Sequence, residues 1–226
     1  MKWNRLIIQS VGSLGILQMT NYLVPVLVIP LLLARVGLEN YGMIVLAQGI
    51  MNFAVAITDF GLNLTGTRLI SLAKGDLGLE CTLTQKILVI KIFLLLGTFI
   101  GLVFLVKTVS PWEPYEYLIL TSYFIVIGNT LMPVWYFQGI QKMKWLALLN
   151  FLSRIFYVGA VLFFIESGED LLWVNVYNGM GWCIAAFFGW VVLFRKMQFR
   201  FEKQSGKAIY AFAHQNVPIF LSEGVT

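Results

Sequence analysis

Three ionisable side chains stand inside long apolar stretches of the chain: Asp59, Lys91 and Arg154. A charge placed in hydrocarbon is costly, so each needs a partner or a purpose. Arg154 lies about nine residues into its stretch, or about 14 Å along a helix. A planar guanidinium at that depth suits a phosphate or a carboxylate, which it can grip through two parallel hydrogen bonds. Lys91 sits one turn from an interface, where a lysine stem ordinarily snorkels its ammonium to water. Asp59 is as shallow as Lys91 and suits a structural ion pair with a basic neighbour.

Uncharged polar residues repeat with helical spacing around these three. At 100° per residue, Tyr41, Gln48, Asn52, Asp59 and Asn63 fall within about 60° of one another. Gln9, Ser10, Ser13, Thr20 and Asn21 share a sector of about 120° on an earlier helix. Ser122, Asn129, Pro133 and Tyr136 align, as do Asn150, Ser153, Arg154 and Tyr157, and again Asn175, Asn178 and Trp182. Interhelical hydrogen bonding would use a few such groups, at about 0.6 kcal/mol each. Five polar faces with charges among them point to a shared wet cavity. Its candidate lining residues are Arg154, Lys91, Asn52, Asn63, Asn129, Asn150, Tyr157 and Asn178.

The elements that must position these residues follow from composition. The chain has 226 residues, 59% hydrophobic and 12% charged, against roughly 25% charged for a soluble domain. Mean hydropathy is +0.81. A soluble fold of this size could not bury that much apolar surface, so the solvent is lipid. Runs long enough to cross a bilayer lie at about 6–34, 41–64, 87–106, 117–139, 145–165 and 171–194. They lack barrel alternation, so they are helices. The expected fold is all-α, a six-helix transmembrane bundle over residues 1–206. Pro25 and Pro30 kink its first span, which is too long and polar for a signal peptide. Residues 207–226 begin a seventh span that stops short of a full crossing, as if the chain were cut there; an amphipathic surface helix is the other reading.

Basic residues orient the bundle. Lys2 and Arg5, then Arg68, Lys74 and Lys86, then Lys142 and Lys144, then Arg195, Lys196, Arg200, Lys203 and Lys207 all fall on one side. Arg35 and Lys107 alone fall on the other, with Glu113, Glu116, Glu166, Glu169 and Asp170. The positive-inside rule gives a cytoplasmic N-terminus. It also accounts for the net charge of +5 without nucleic acid. Trp112, Trp145, Trp173, Tyr115 and Tyr117 read as belt anchors at the interfaces. Gly97 and Gly101 read as a small-xxx-small seam for close helix packing.

No Walker loop, HExxH, CxxC or GxSxG occurs, and His214 is the only histidine. Cys81 and Cys183 are too far apart in unlike settings to suggest a disulfide framework or a zinc site. The external connections are short, which disfavours an enzyme with an external catalytic domain. The reading is a transporter without a cofactor.

Three segments carry a family resemblance. NYLVPVLVIPLLLARVGLENYG, from Asn21, ends in the turn of Arg35, Gly37, Glu39, Tyr41 and Gly42. DFGLNLTGTRLIS, from Asp59, holds an aromatic-Gly-x-Asn pattern before a short helix. GNTLMPVWYFQGIQKMKWLALLNFLSR runs from Gly128 to Arg154. Together they resemble the N-terminal half of Wzx-type O-antigen and polysaccharide flippases, of the MATE-like exporter superfamily. The resemblance implies two six-helix lobes around a central cavity, of which this chain supplies one. It implies a substrate of undecaprenyl-diphosphate-linked oligosaccharide, flipped across the bacterial inner membrane from the cytoplasmic to the periplasmic leaflet. A polysaccharide polymerase and a chain-length regulator would be its functional partners. Energy would come from a proton or sodium gradient, with Asp59 the candidate coupling carboxylate, or from product removal. A drug or metabolite exporter of the same superfamily, and a membrane enzyme of the same pathway such as a polymerase, are the alternatives.

Overall fold

The computed structural model describes residues 2–109 and 115–197, with 206, 207, 209 and 211–214; over 2–21 (Gly15 and Gln18 apart) and 196–197 it describes helix backbone alone. Trp112, Glu113, the polar side chains expected on the first span (Gln9, Ser10, Ser13, Thr20 and Asn21), and most of the expected seventh span lie outside these residues. Among the described residues every regular element is helical: α1 (Lys2–Asp59), α2 (Leu62–Leu72), α3 (Leu77–Thr108), α4 (Glu116–Thr121), α5 (Tyr123–Leu131), α6 (Val134–Gly139), α7 (Met143–Phe164), a 3-10 turn at Gly168–Asp170, and α8 (Leu171–Met197). Five helical stretches are long and apolar enough to cross a membrane, and the chain is a multi-pass membrane protein. Its exposed Phe53, Phe93, Phe104 and Phe163 are the faces such a protein turns to lipid.

The first of these stretches is two arms, not one rod. Helical torsions continue through Pro25 and Pro30 and fail at Gly37 (φ 82°, ψ 166°). Val24 and Gln48 line one small cavity, although a straight helix would hold them about 36 Å apart. The chain therefore folds back at Gly37, so that Val24, Val28, Leu32 and Val36 share a packed cluster with Ile44. Arg35 fastens this bend to α7. Its Nη1 donates to the carbonyl oxygens of Val161 (2.9 Å), Leu162 (2.9 Å) and Ile165 (2.6 Å). All three carbonyls belong to the last turn of α7, where Val161 also accepts from Ile165 N at 3.4 Å, and a cation there suits the helix dipole. The torsions of Gly37 belong to a region essentially closed to other residues. Gly37→Ala is expected to cost about 1–3 kcal/mol, read as a lower unfolding temperature in detergent.

Two expected spans are broken. The helix read over 41–64 ends at Asp59, because Phe60 (φ 49°) and Gly61 (φ 66°) take left-handed torsions. α2 then leaves in a new direction and packs on α6. The helix read over 117–139 is interrupted at Ser122 and again at Met132 and Pro133. Pro133 offers no N–H, and the Asn129 carbonyl that would have received it accepts from Met132 N at 3.3 Å; the Leu131 carbonyl at this break accepts from Trp190 Nε1 at 2.8 Å. α3 begins ten residues before the expected start, capped by Asp76, whose Oδ1 accepts from Leu79 N at 3.0 Å.

Candidate functional site

The polar faces of α1, α5, α7 and α8 meet at one cavity of about 290 Å³. Gln48 and Asn52 line it from α1, Ile125 and Asn129 from α5, Arg154 from α7, and Asn178 and Trp182 from α8. A smaller space of about 140 Å³ shares Gln48, Arg154 and Asn178 with it and adds Tyr41 and Tyr157. Glycines let these helices close up. A Cβ on Gly128 would stand 2.6 Å from that of Trp182, and one on Gly181 would stand 2.6 Å from the Ser153 carbonyl oxygen. Asn129 and Trp182 are neighbours of those contacts in sequence, so close packing sets the cavity's walls.

Behind the cavity a buried network fixes one wall. Gln48 Nε2 donates to Asn175 Oδ1 at 2.8 Å. Asn175 Nδ2 donates to Ser122 Oγ at 2.8 Å and to the Ile44 carbonyl at 3.3 Å. Asn175 and Ser122 are fully buried. Their amide and hydroxyl satisfy each other, as buried polar groups must.

Arg154 is different. Its Nε is buried with no partner among the described residues, and no carboxylate there pairs with it. Its guanidinium carbon lies 5.3 Å from the Trp182 ring centre. A cation held against an indole face, in a space walled by amides, is a ready receptor for an anion carrying hydroxyl groups.

Of the residues singled out by sequence, the structure brings Asn52, Asn129, Arg154 and Asn178 together, with Tyr157 in the adjoining space. Asn150 is buried one turn before Arg154, and its Oδ1 has no partner among the described residues.

Lys91, Asp59 and Asn63 gather at a second centre. Lys91 Nζ donates to Asp59 Oδ1 at 3.0 Å and to Asn63 Oδ1 at 3.2 Å, and lies 4.5 Å from the Trp135 ring centre. Lys91 does not snorkel: it is only 1% exposed. The break at Phe60–Gly61 turns Asn63 away from the face that carries Asn52. The broken fourth span likewise scatters its aligned residues. Ser122 faces Asn175 and Asn129 faces the cavity, while Tyr136 donates to Glu80 Oε2 at 3.0 Å. Glu80 is buried and also accepts from Gly75 N at 3.2 Å. Nothing in its sequence setting, about seven residues ahead of the apolar run, marked it. Gln48 and Trp182 stood on the polar faces by periodicity but were not among the candidate residues.

A protein of Escherichia coli (strain K12) named as an O-antigen transporter is 30% identical over 163 residues, 72% of this chain and 39% of the relative. One of Shigella dysenteriae with the same name is 23% identical over 205 residues, 90% of this chain and 49% of the relative. The chain thus spans half or less of the length of these relatives. No solved structure gives a significant match. Residues 7–226, nearly the whole sequence, match the profile of the family described as polysaccharide biosynthesis protein, and the chain belongs to that family.

Proposed function

We propose that the chain forms one lobe of a flippase that moves an undecaprenyl-diphosphate-linked oligosaccharide from the cytoplasmic to the periplasmic leaflet of the bacterial inner membrane. The observation that carries this reading is Arg154, a guanidinium without a carboxylate among the described residues, facing a cavity of amides inside a membrane bundle. A diphosphate meets the guanidinium, and sugar hydroxyls meet Gln48, Asn52, Asn129 and Asn178, each amide both donating and accepting. The names of the relatives support the same substrate class.

The lobe crosses the membrane six times from a cytoplasmic N-terminus, and a further span begins after residue 206. A second lobe supplies the opposite wall, and rocking of one against the other exposes the cavity to each leaflet in turn. Asp59 is the carboxylate offered for proton or sodium coupling, with Lys91 as its resting counter-cation. A polymerase and a chain-length regulator take over the product.

Deletion of the native coding region, followed by lipid analysis and a surface polysaccharide profile, tests the proposal. Lost surface polymer with accumulated lipid-linked repeat unit is the expected result. Unchanged polymer in a strain with no second flippase overturns it.

A further inference from the structure

A second, larger hollow lies on the other side of the α1 arm that follows Gly37. It holds about 500 Å³ between that arm and α3, with Phe53 and Ile57 on one wall and Phe93, Gly97, Gly101 and Leu105 on the other. Thr98, its polar lining residue, has its hydroxyl engaged by the carbonyls of Leu94 and Leu95 and by the Tyr123 hydroxyl. The expected close packing at Gly97 and Gly101 does not occur within the described residues: no atom lies within 4 Å of where a Cβ would stand on either.

The dimensions fit a single hydrocarbon chain. From Phe93 to Leu105 the groove runs about 18 Å. The two glycine notches lie one turn apart, about 6 Å. They are places for the methyl branches of an isoprenoid, which a straight acyl chain lacks.

The groove and the polar cavity lie on different faces of the same α1 arm. On the α1 arm, Gln48 and Asn52 lie within about 40° of each other, while Phe53, Ile57 and Ile50 lie about 140–200° around from Gln48. Between them, at about 80–120°, are Gly42, Gly49 and Ala56. Gly42 and Ala56 are exposed, and neither glycine has an atom within 4 Å of a built Cβ. The ridge separating cavity from groove is therefore low.

We propose that this groove holds the isoprenoid chain of the transported lipid while its diphosphate and sugars occupy the cavity, the link crossing the ridge at Gly49. This rests on the flippase reading given above. The test places a photo-crosslinking phenylalanine at Phe93 (groove) or Asn129 (cavity) in the full-length protein, in cells making the lipid-linked oligosaccharide, and identifies adducts by mass spectrometry. Capture of the isoprenoid-linked species from both positions is expected. Gly101→Leu, which faces open space and leaves the fold intact, is expected to lower the Phe93 adduct about tenfold, or about 1.4 kcal/mol, with the protein level unchanged. Adducts at Asn129 alone, with only phospholipid or a peptide of the same polypeptide captured at Phe93, would overturn the groove and leave the flippase reading standing. No substrate adduct at either position would remove both.

Discussion

On the proposed flippase function, Arg154→Ala in the full-length protein is expected to cut export of the lipid-linked oligosaccharide about ten- to a hundredfold, the effect of losing a charged hydrogen bond worth about 1.5–3 kcal/mol. Arg154→Lys keeps the charge but not the two-pronged fork, so it should fall between alanine and the native residue. The rate of new surface polymer, normalised to protein in the membrane, measures both. Native rates in both variants would remove the guanidinium from the mechanism. A second measurement separates binding from scaffolding. Since Nε is buried without a partner, a structural arginine is not what is being lost, and Arg154→Met should unfold no earlier in detergent than the native protein. A strongly destabilised Arg154→Met would make the residue part of the frame.

The second large effect belongs to the buried ion pair. Lys91→Met strips Asp59 of its counter-charge, and Asp59→Asn leaves a fully buried ammonium facing only neutral groups among the described residues. Asp59→Asn, which strands the buried ammonium, is expected to destabilise by about 3–5 kcal/mol, and Lys91→Met by less, because the Asp59 side chain is 23% exposed and an uncompensated charge costs most where it is buried. Asp59→Asn with Lys91→Met removes both charges and should recover most of the loss, which thermal unfolding of the four proteins of the cycle would show. A double variant as unstable as the two single losses combined would mean that the groups are not coupled. A double variant that folds but does not export would give the pair a part in transport, whereas restored export would confine it to architecture.

Hydropathy and helical periodicity reached the all-helical class and the meeting of Asn52, Asn129, Arg154 and Asn178, while the turn of Arg35–Gly42 came from the family resemblance. The first two depend on local rules: apolar length, and a polar face at a constant angle per residue. The rule fails where the helix does. Gly61 and Pro133 each reset the angular phase, so Asn63 and Tyr136 point elsewhere than a continuous wheel would send them. Lys91 was misjudged for another reason. Snorkelling considers one helix alone, and here α2 and α6 bring Asn63 and Trp135 over the ammonium. The same limitation applies to Gly97 and Gly101, whose spacing tells of small residues but not of which neighbour, if any, comes near.

The clamp of Arg35 on α7 has a consequence for how the protein is made. The arginine and its first acceptor are separated by 126 residues, so at about 5–20 residues per second the bend at Gly37 emerges about 6–25 s before the carbonyls that secure it. Lys91 follows Asp59 by only 32 residues, or about 2–6 s on the same scale. Both partners of the ion pair are thus synthesised well before the Arg35 clamp can close, and the bend at Gly37 gains its last three hydrogen bonds only once α7 has been made.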